Sequence, residues 1–172
     1  EGTSTTLWAP GTTYFKSGNK SAYLNYQNSG NKVNLVTPLL QIPSADTHQV
    51  DFWFRRYSSD YYSGERLKVW INTSPDTIGA TPLTIVGKSV SSIEGSVTKT
   101  PVEASGAGWY EYSAILPQGG NVYVIFEMIW KGGYAVAIDD VRIREIPNCF
   151  KPQAVSIDSI SDNAVRVNIA DT

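Results

Sequence analysis

Residues 132–146 read Gly-Gly-Tyr-Ala-Val-Ala-Ile-Asp-Asp-Val-Arg-Ile-Arg-Glu-Ile. The Gly-Gly pair predicts a turn, and the small and β-branched apolar run behind it predicts a strand covered on both faces. Two adjacent carboxylates, Asp139 and Asp140, stand inside that run. An acid taken out of water costs several kcal/mol unless it is ion-paired, hydrogen-bonded or coordinated to a metal, so this strand is the first place to look for chemistry. Successive strand residues point to opposite faces, so without a bulge the two acids serve different environments, which argues against a catalytic carboxylate pair here.

Upstream of this strand the same period continues. Residues 49–56 set Val50, Phe52 and Phe54 against Asp51, Trp53 and Arg55, and residues 66–72 set Leu67, Val69 and Ile71 against Lys68 and Trp70. Both are period-2 strands, expected to form a hairpin across residues 57–65, a connection longer than a tight turn needs and rich in Tyr. Shorter strands are expected around Phe15, at 22–24, 32–36, 39–42 and 83–86, at an edge over 96–102, and at 109–116 and 122–129. No segment keeps a helical period beyond a turn or two. About nine short strands separated by Gly, Pro and Ser turns predict an all-β fold, an antiparallel β-sandwich or jelly roll.

The chain has 172 residues, 41% of them hydrophobic and 17% charged, which is ample for one core. A net charge of −2 without a Lys/Arg cluster excludes nucleic acid as the expected partner. The longest apolar run, 122–130, is broken by Glu127 and is far too short to insert in a membrane. No signal peptide opens the chain, and Glu1 in place of Met reads as the start of an excised piece of something larger. Abundant Ser, Thr, Asn, Gly and Tyr in surface-type positions is a composition common in secreted and cell-surface β domains. A lone Cys149 cannot form an internal disulfide.

Composition shifts after Ile146. Residues 147–152 form a linker, followed by strand-like pieces at 154–157 and 164–169. These resemble the first two strands of a fibronectin type III domain, with Ile169 where strand B usually carries Trp, so the expected division is a domain over 1–147 and a truncated second module over 148–172. Neighbouring domains of the same parent chain are then partners.

Leu35-Val36-Thr37-Pro38-Leu39-Leu40, Val50-Asp51-Phe52-Trp53-Phe54, Gly64-Glu65-Arg66-Leu67-Lys68-Val69, Trp109 opening a strand and Ala137-Ile138-Asp139-Asp140-Val141 together resemble the MAM-like jelly roll. Its bacterial forms are the cleaved-adhesin and choice-of-anchor J domains, as in the haemagglutinin/adhesin regions of gingipains. The resemblance covers roughly residues 15–147; at the amino end only Glu1 and Trp8 stand in for the family's first strand and Gly-Trp motif. It implies a non-catalytic β-sandwich, often with a structural calcium, that binds a glycan or an extracellular protein in a larger secreted or cell-surface bacterial protein. A structural spacer is the alternative, and a hydrolase a distant third. By the same resemblance Asp139 is the expected calcium ligand, with Asp140 and Glu1 as second choices and carbonyls of residues 16–20 completing the shell. The competing reading of Asp139 is that it accepts backbone N–H bonds or pairs with an Arg.

The remaining polar residues carry expectations of their own. His48, the single His, leaves no His-based zinc site and is read as a polar residue at a strand entry rather than a triad base. Glu127 is read as paired with Arg142, Arg144 or Arg55, with a glycosidase-type pairing to Asp51 or Asp139 as the other possibility. Trp53 and Trp70 fill a buried layer or line a concave face, burial being preferred. Tyr57, Asp60, Tyr61 and Tyr62, with Arg55 and Arg56, are the expected ligand-binding group, because loops at a sandwich end combine stacking surfaces with charged hydrogen-bonding groups.

Overall fold

The computed structural model describes residues 7–25, 30–58 and 64–146 in full, and the backbone of 154–161 and 164–170. In chain order the strands are β1 (Ala9–Gly11), β2 (Ser21–Leu24), β3 (Lys32–Val36), β4 (Leu40–Ile42), β5 (His48–Arg56), β6 (Arg66–Asn72), β7 (Thr81–Pro82), β8 (Ile93–Glu94), β9 (Gly108–Ile115), β10 (Gly120–Ile129), β11 (Val136–Glu145), β12 (Ala154–Ser161) and β13 (Ala164–Ala170). One sheet runs β1-β2-β11-β5-β9, and the other β3-β10-β6-β7, with β4 also on β10 and β8 also on β6. The pairings among these strands are antiparallel, which makes the body an antiparallel β-sandwich, as the alternation predicts.

The period-2 faces meet in the middle. Val50, Phe52 and Phe54 of β5 and Leu67, Val69 and Ile71 of β6 are all buried. They belong to different sheets, so β5 and β6 face each other across the core instead of forming the expected hairpin. Packed sheets lie about 10 Å apart, a separation that the tight turn of a hairpin does not bridge. Phe52 of β5 meets Phe126 of β10 edge-on, with ring centroids 5.1 Å apart, and joins the layers. Truncating such a ring to Ala costs about 3–5 kcal/mol.

Strand β10 carries Val122, Val124, Phe126 and Met128 into this core and sends Tyr123, Ile125, Glu127 and Ile129 to the sheet's other face, where Ile125 and Glu127 are buried as well. β3 and β4 pair with successive parts of β10, and the break between them falls at Thr37-Pro38, because Pro38 has no N–H for the ladder. Thr37 fills the gap: its N–H donates to Val124 O at 3.0 Å, and its hydroxyl accepts from Val124 N–H at 3.1 Å.

No strand spans the expected edge at 96–102. The carbonyls of this stretch turn toward one buried guanidinium, described below, and the ladder has no use of them. In β11, Val136, Ala137 and Ile138 are buried, but the register against β5 slips between Asp139 and Arg142 and Asp140 adopts φ +49°. The expected uniformly covered strand is thus broken by a bulge at the two acids, which are half-buried. β12 and β13 pair with each other as a two-stranded antiparallel sheet.

Candidate functional site

The Tyr-rich connection splits into parts with different fates. Asp60, Tyr61 and Tyr62 lie outside the described residues, as does Glu1. Tyr57, expected on the surface, is buried against Tyr134, ring centroids 5.0 Å apart, and its main chain is tied down by bonds to Gly95 O and from Val97 N–H.

Arg56 is also removed from the expected binding group, because it is fully buried. Its Nε donates to Glu94 O at 2.8 Å, one terminal nitrogen to Pro101 O at 2.6 Å and Tyr112 Oη at 3.0 Å, and the other to Ser96 O and to Lys99 O at 3.1 Å. Glu103 stands 3.7 Å away as counter-ion. Every arm of the guanidinium is occupied by protein, so its work is to fold residues 94–103 around itself. The sequence held the signal: Arg56 falls in phase with Val50, Phe52 and Phe54, whereas Arg55 is in phase with the outward Trp53.

Glu65 was not expected to matter, yet it is the most isolated acid among the described residues. It is 1% exposed, and neither carboxyl oxygen has a hydrogen-bond partner; the buried Tyr57 hydroxyl has none either. Burial pushes the Glu65 carboxyl up to about 7, with nearby Glu94 adding to the rise. It fits only because its neighbours are glycines: a Cβ on Gly133 would sit 1.8 Å from Glu65 Oε1, and one on Gly95 would sit 3.1 Å from it.

The acids of β11 form a clamp. Asp139 Oδ2 accepts the main-chain N–H of Lys16 at 2.7 Å and of Ser17 at 3.3 Å, Asp139 Oδ1 accepts the N–H of Asp140 at 2.8 Å, and the Ser17 hydroxyl donates to Asp140 Oδ1 at 2.5 Å. The bulge explains how neighbours in sequence reach one loop: it cancels the alternation that would separate them. Calcium needs six to eight oxygen lone pairs, but here three N–H groups and a hydroxyl direct their hydrogens at the two carboxylates. Among the described residues no third Asp, Glu, His or Cys joins them. Among the described residues this donor set forms a hydrogen-bonded loop clamp, the competing reading of Asp139, and Glu1 lies outside them.

The clamp folds residues 14–17 over the outer face of the β1-β2-β11-β5-β9 sheet. Register places Trp53 between Asp139 and Glu111, and Arg55 between Ala137 and Trp109. Tyr14, Tyr23, Trp53, Arg55 and Trp109 are all half-buried on this face, so Trp53 is not in the expected buried layer. The ammonium of Lys16 lies 3.9 Å from the Trp53 ring centroid, the guanidinium carbon of Arg55 lies 3.4 Å from that of Tyr14, and Tyr14 and Tyr23 stand 6.2 Å apart. Toward the β9 edge the face dips into a cavity of about 220 Å³ lined by Lys88, Glu111, Ser113 and Arg144, among others. Below it, burial works against the Asp51 carboxylate, but hydrogen bonds from Arg144, from Ser113 at 2.6 Å and from Gln49 at 2.6 Å outweigh it and hold the group below the ordinary carboxylate range.

Other candidates stand apart from this face. Glu127, on the opposite outer face, is 3.5 Å from Lys32 rather than paired with any of the expected arginines. Because Glu127 is on β10 while Asp51 and Asp139 are on the other sheet, the two carboxylate pairs weighed for glycoside hydrolysis lie on opposite sides of the sandwich. Trp70 is half-buried beside Lys68, 5.3 Å from the ring, and His48 contacts the Thr47 hydroxyl at 2.8 Å.

No family model and no curated protein sequence matches the chain. Among solved structures it is similar to the K1 cleaved adhesin domain of Lys-gingipain from Porphyromonas gingivalis W83, at TM-score 0.57 and 21% identity over 84% of this chain and 87% of that one. It is also similar to the K3 domain of the same protein, at TM-score 0.56 and 20% identity over 83% and 86%. The fold is therefore the β-sandwich that these cleaved adhesin domains share, in line with the resemblance read from the sequence.

Proposed function

We propose that this chain is a non-catalytic, adhesin-like binding module of a larger secreted or cell-surface bacterial protein, and that it holds a glycan on the outer face of the β1-β2-β11-β5-β9 sheet. The observation that carries the reading is the row of half-exposed aromatics, Tyr14, Tyr23, Trp53 and Trp109, interleaved with Lys16, Arg55 and Glu111 on one face. A spacer has no reason to leave four large rings in reach of water, whereas a ligand site combines flat apolar surface with a few fixed polar groups. The similarity to cleaved adhesin domains supports the same class of role. An extracellular protein ligand is the other form of this reading.

A binding screen of the whole chain against arrayed glycans and extracellular-matrix proteins tests it. Trp53→Ala and Trp109→Ala should each weaken the glycan signal at least about tenfold, the loss of roughly 1.4 kcal/mol of contact. If no glycan binds, or both variants bind like the parent chain, the spacer reading takes its place.

A further inference from the structure

We infer that the glycan held on this face is acidic, its sugars carrying carboxylate or sulfate groups that Lys16 and Arg55 receive; the inference rests on the binding face proposed above.

Bare aromatic platforms suit neutral sugars, which lay a ring face on a flat side chain. Here two of the four rings are already covered by cations, Trp53 by the Lys16 ammonium at 3.9 Å and Tyr14 by the Arg55 guanidinium at 3.4 Å. Both cations lack an ion pair among the described residues, unlike Lys32, Arg56, Lys88 and Arg144, each of which has an acid within reach. Stacking holds each charge in place without neutralising it. The guanidinium carbon of Arg55 is 3.4 Å from the Tyr14 ring centroid, and a guanidinium held on a ring face keeps N–H donors at its edge that match a carboxylate or sulfate.

No acid among the described residues pairs with either cation. Asp139 stands beside Trp53, but its oxygens are occupied by the N–H groups of Lys16, Ser17 and Asp140, and Asp140 holds the Ser17 hydroxyl. Exposed Glu111 is across Trp53 on the β9 side, so an anionic group has its place on the β2-β11 side, where Tyr14 meets Tyr23. The clamp thereby gains a second consequence: by fixing the main chain of Lys16, Asp139 positions the ammonium over Trp53.

The test pairs each charged polymer with its neutral counterpart: polygalacturonate against fully methyl-esterified pectin, and dextran sulfate against dextran, measured with the whole chain by affinity electrophoresis. At least one charged member should be retarded at an affinity about tenfold above its partner, and the difference should shrink as salt rises. Lys16→Met and Arg55→Met together should bring charged and neutral members level, with an unchanged melting temperature. Equal binding of charged and neutral members, or a difference untouched by the double variant, overturns the inference and leaves the glycan reading standing. Binding to polyglutamate but to none of the polymers overturns it in favour of an acidic protein. Binding to nothing tested here or in the wider screen removes both readings.

Discussion

Gly133 lies directly against Glu65: a Cβ on the glycine would sit 1.8 Å from the carboxyl oxygen Oε1 and 2.0 Å from the carboxyl carbon. The second glycine of the turn that precedes β11 is there to leave room for a buried acid on β6's threshold. Gly133→Ala should therefore destabilise the chain by about 1–3 kcal/mol through overpacking. Glu65→Ala in the same chain should recover part of that loss, because it removes the clashing group. Urea unfolding of the two single variants and the double variant measures the coupling, and additive losses would mean that the two residues do not share this space.

Glu65 also sets a pH dependence. Its carboxyl is pushed up to about 7 in the fold, above the ordinary value of 4.5, so the folded chain favours the protonated form. The resulting stability is fully present below pH about 4.5 and is lost as pH rises through about 7. Melting temperature should fall as pH rises from about 4.5 to about 7 and level off above that, and Glu65→Gln, which is always neutral, should flatten that slope and melt higher at pH 8. A slope unchanged by the substitution would assign the dependence to other groups.

Adjacent arginines should behave oppositely. Arg56→Met strips the partner from the carbonyls of Glu94, Ser96, Lys99 and Pro101 and leaves Glu103 without its buried counter-ion, and it should cost about 3–5 kcal/mol in urea unfolding. Arg55→Met removes one stacked side chain from an outer face and should cost under about 1 kcal/mol. Similar losses for the two variants would contradict the inward and outward assignments.

Period-2 alternation was enough to identify the core faces of β5, β6 and β10, since Phe52, Val69 and Phe126 each sit inside as their spacing requires. It also carried the sandwich class. Alternation says which side of a strand is wet but not which strand lies beside it, and so β5 and β6, adjacent in sequence and well patterned, look like hairpin partners although they belong to different sheets. The outer face proposed for binding is half legible. Trp53 and Arg55 share a side by spacing alone, but Tyr14 and Lys16 arrive from a distant loop, and only the clamp at Asp139 brings them over the sheet. A bulge leaves little trace in sequence, so the convergence of Asp139 and Asp140 on one loop could not be read from a rule that sends neighbours to opposite faces. Arg56 is buried as its phase requires, although an Arg at a strand end ordinarily belongs on the surface.

That clamp makes the calcium question one of competition between hydrogens and an ion. Asp139 receives three main-chain N–H groups, from Lys16, Ser17 and Asp140. Asp139→Asn keeps the shape but replaces one accepting oxygen with an NH₂ that faces those donors, which should cost about 1–3 kcal/mol by leaving a backbone N–H unsatisfied. The loop should loosen with it, and the emission of the tryptophans should change as Lys16 leaves Trp53. If the hydrogen bonds alone hold the loop, treating the parent chain with EDTA should leave its melting curve unmoved. A calcium ion bound at a hundred times its dissociation constant would add about 2.7 kcal/mol, an effect too large to miss in the same melt. If EDTA lowers the melting temperature of the parent chain by several degrees and has no effect on Asp139→Asn, the carboxylates hold a metal and the hydrogen-bonded clamp is the arrangement that forms only without it.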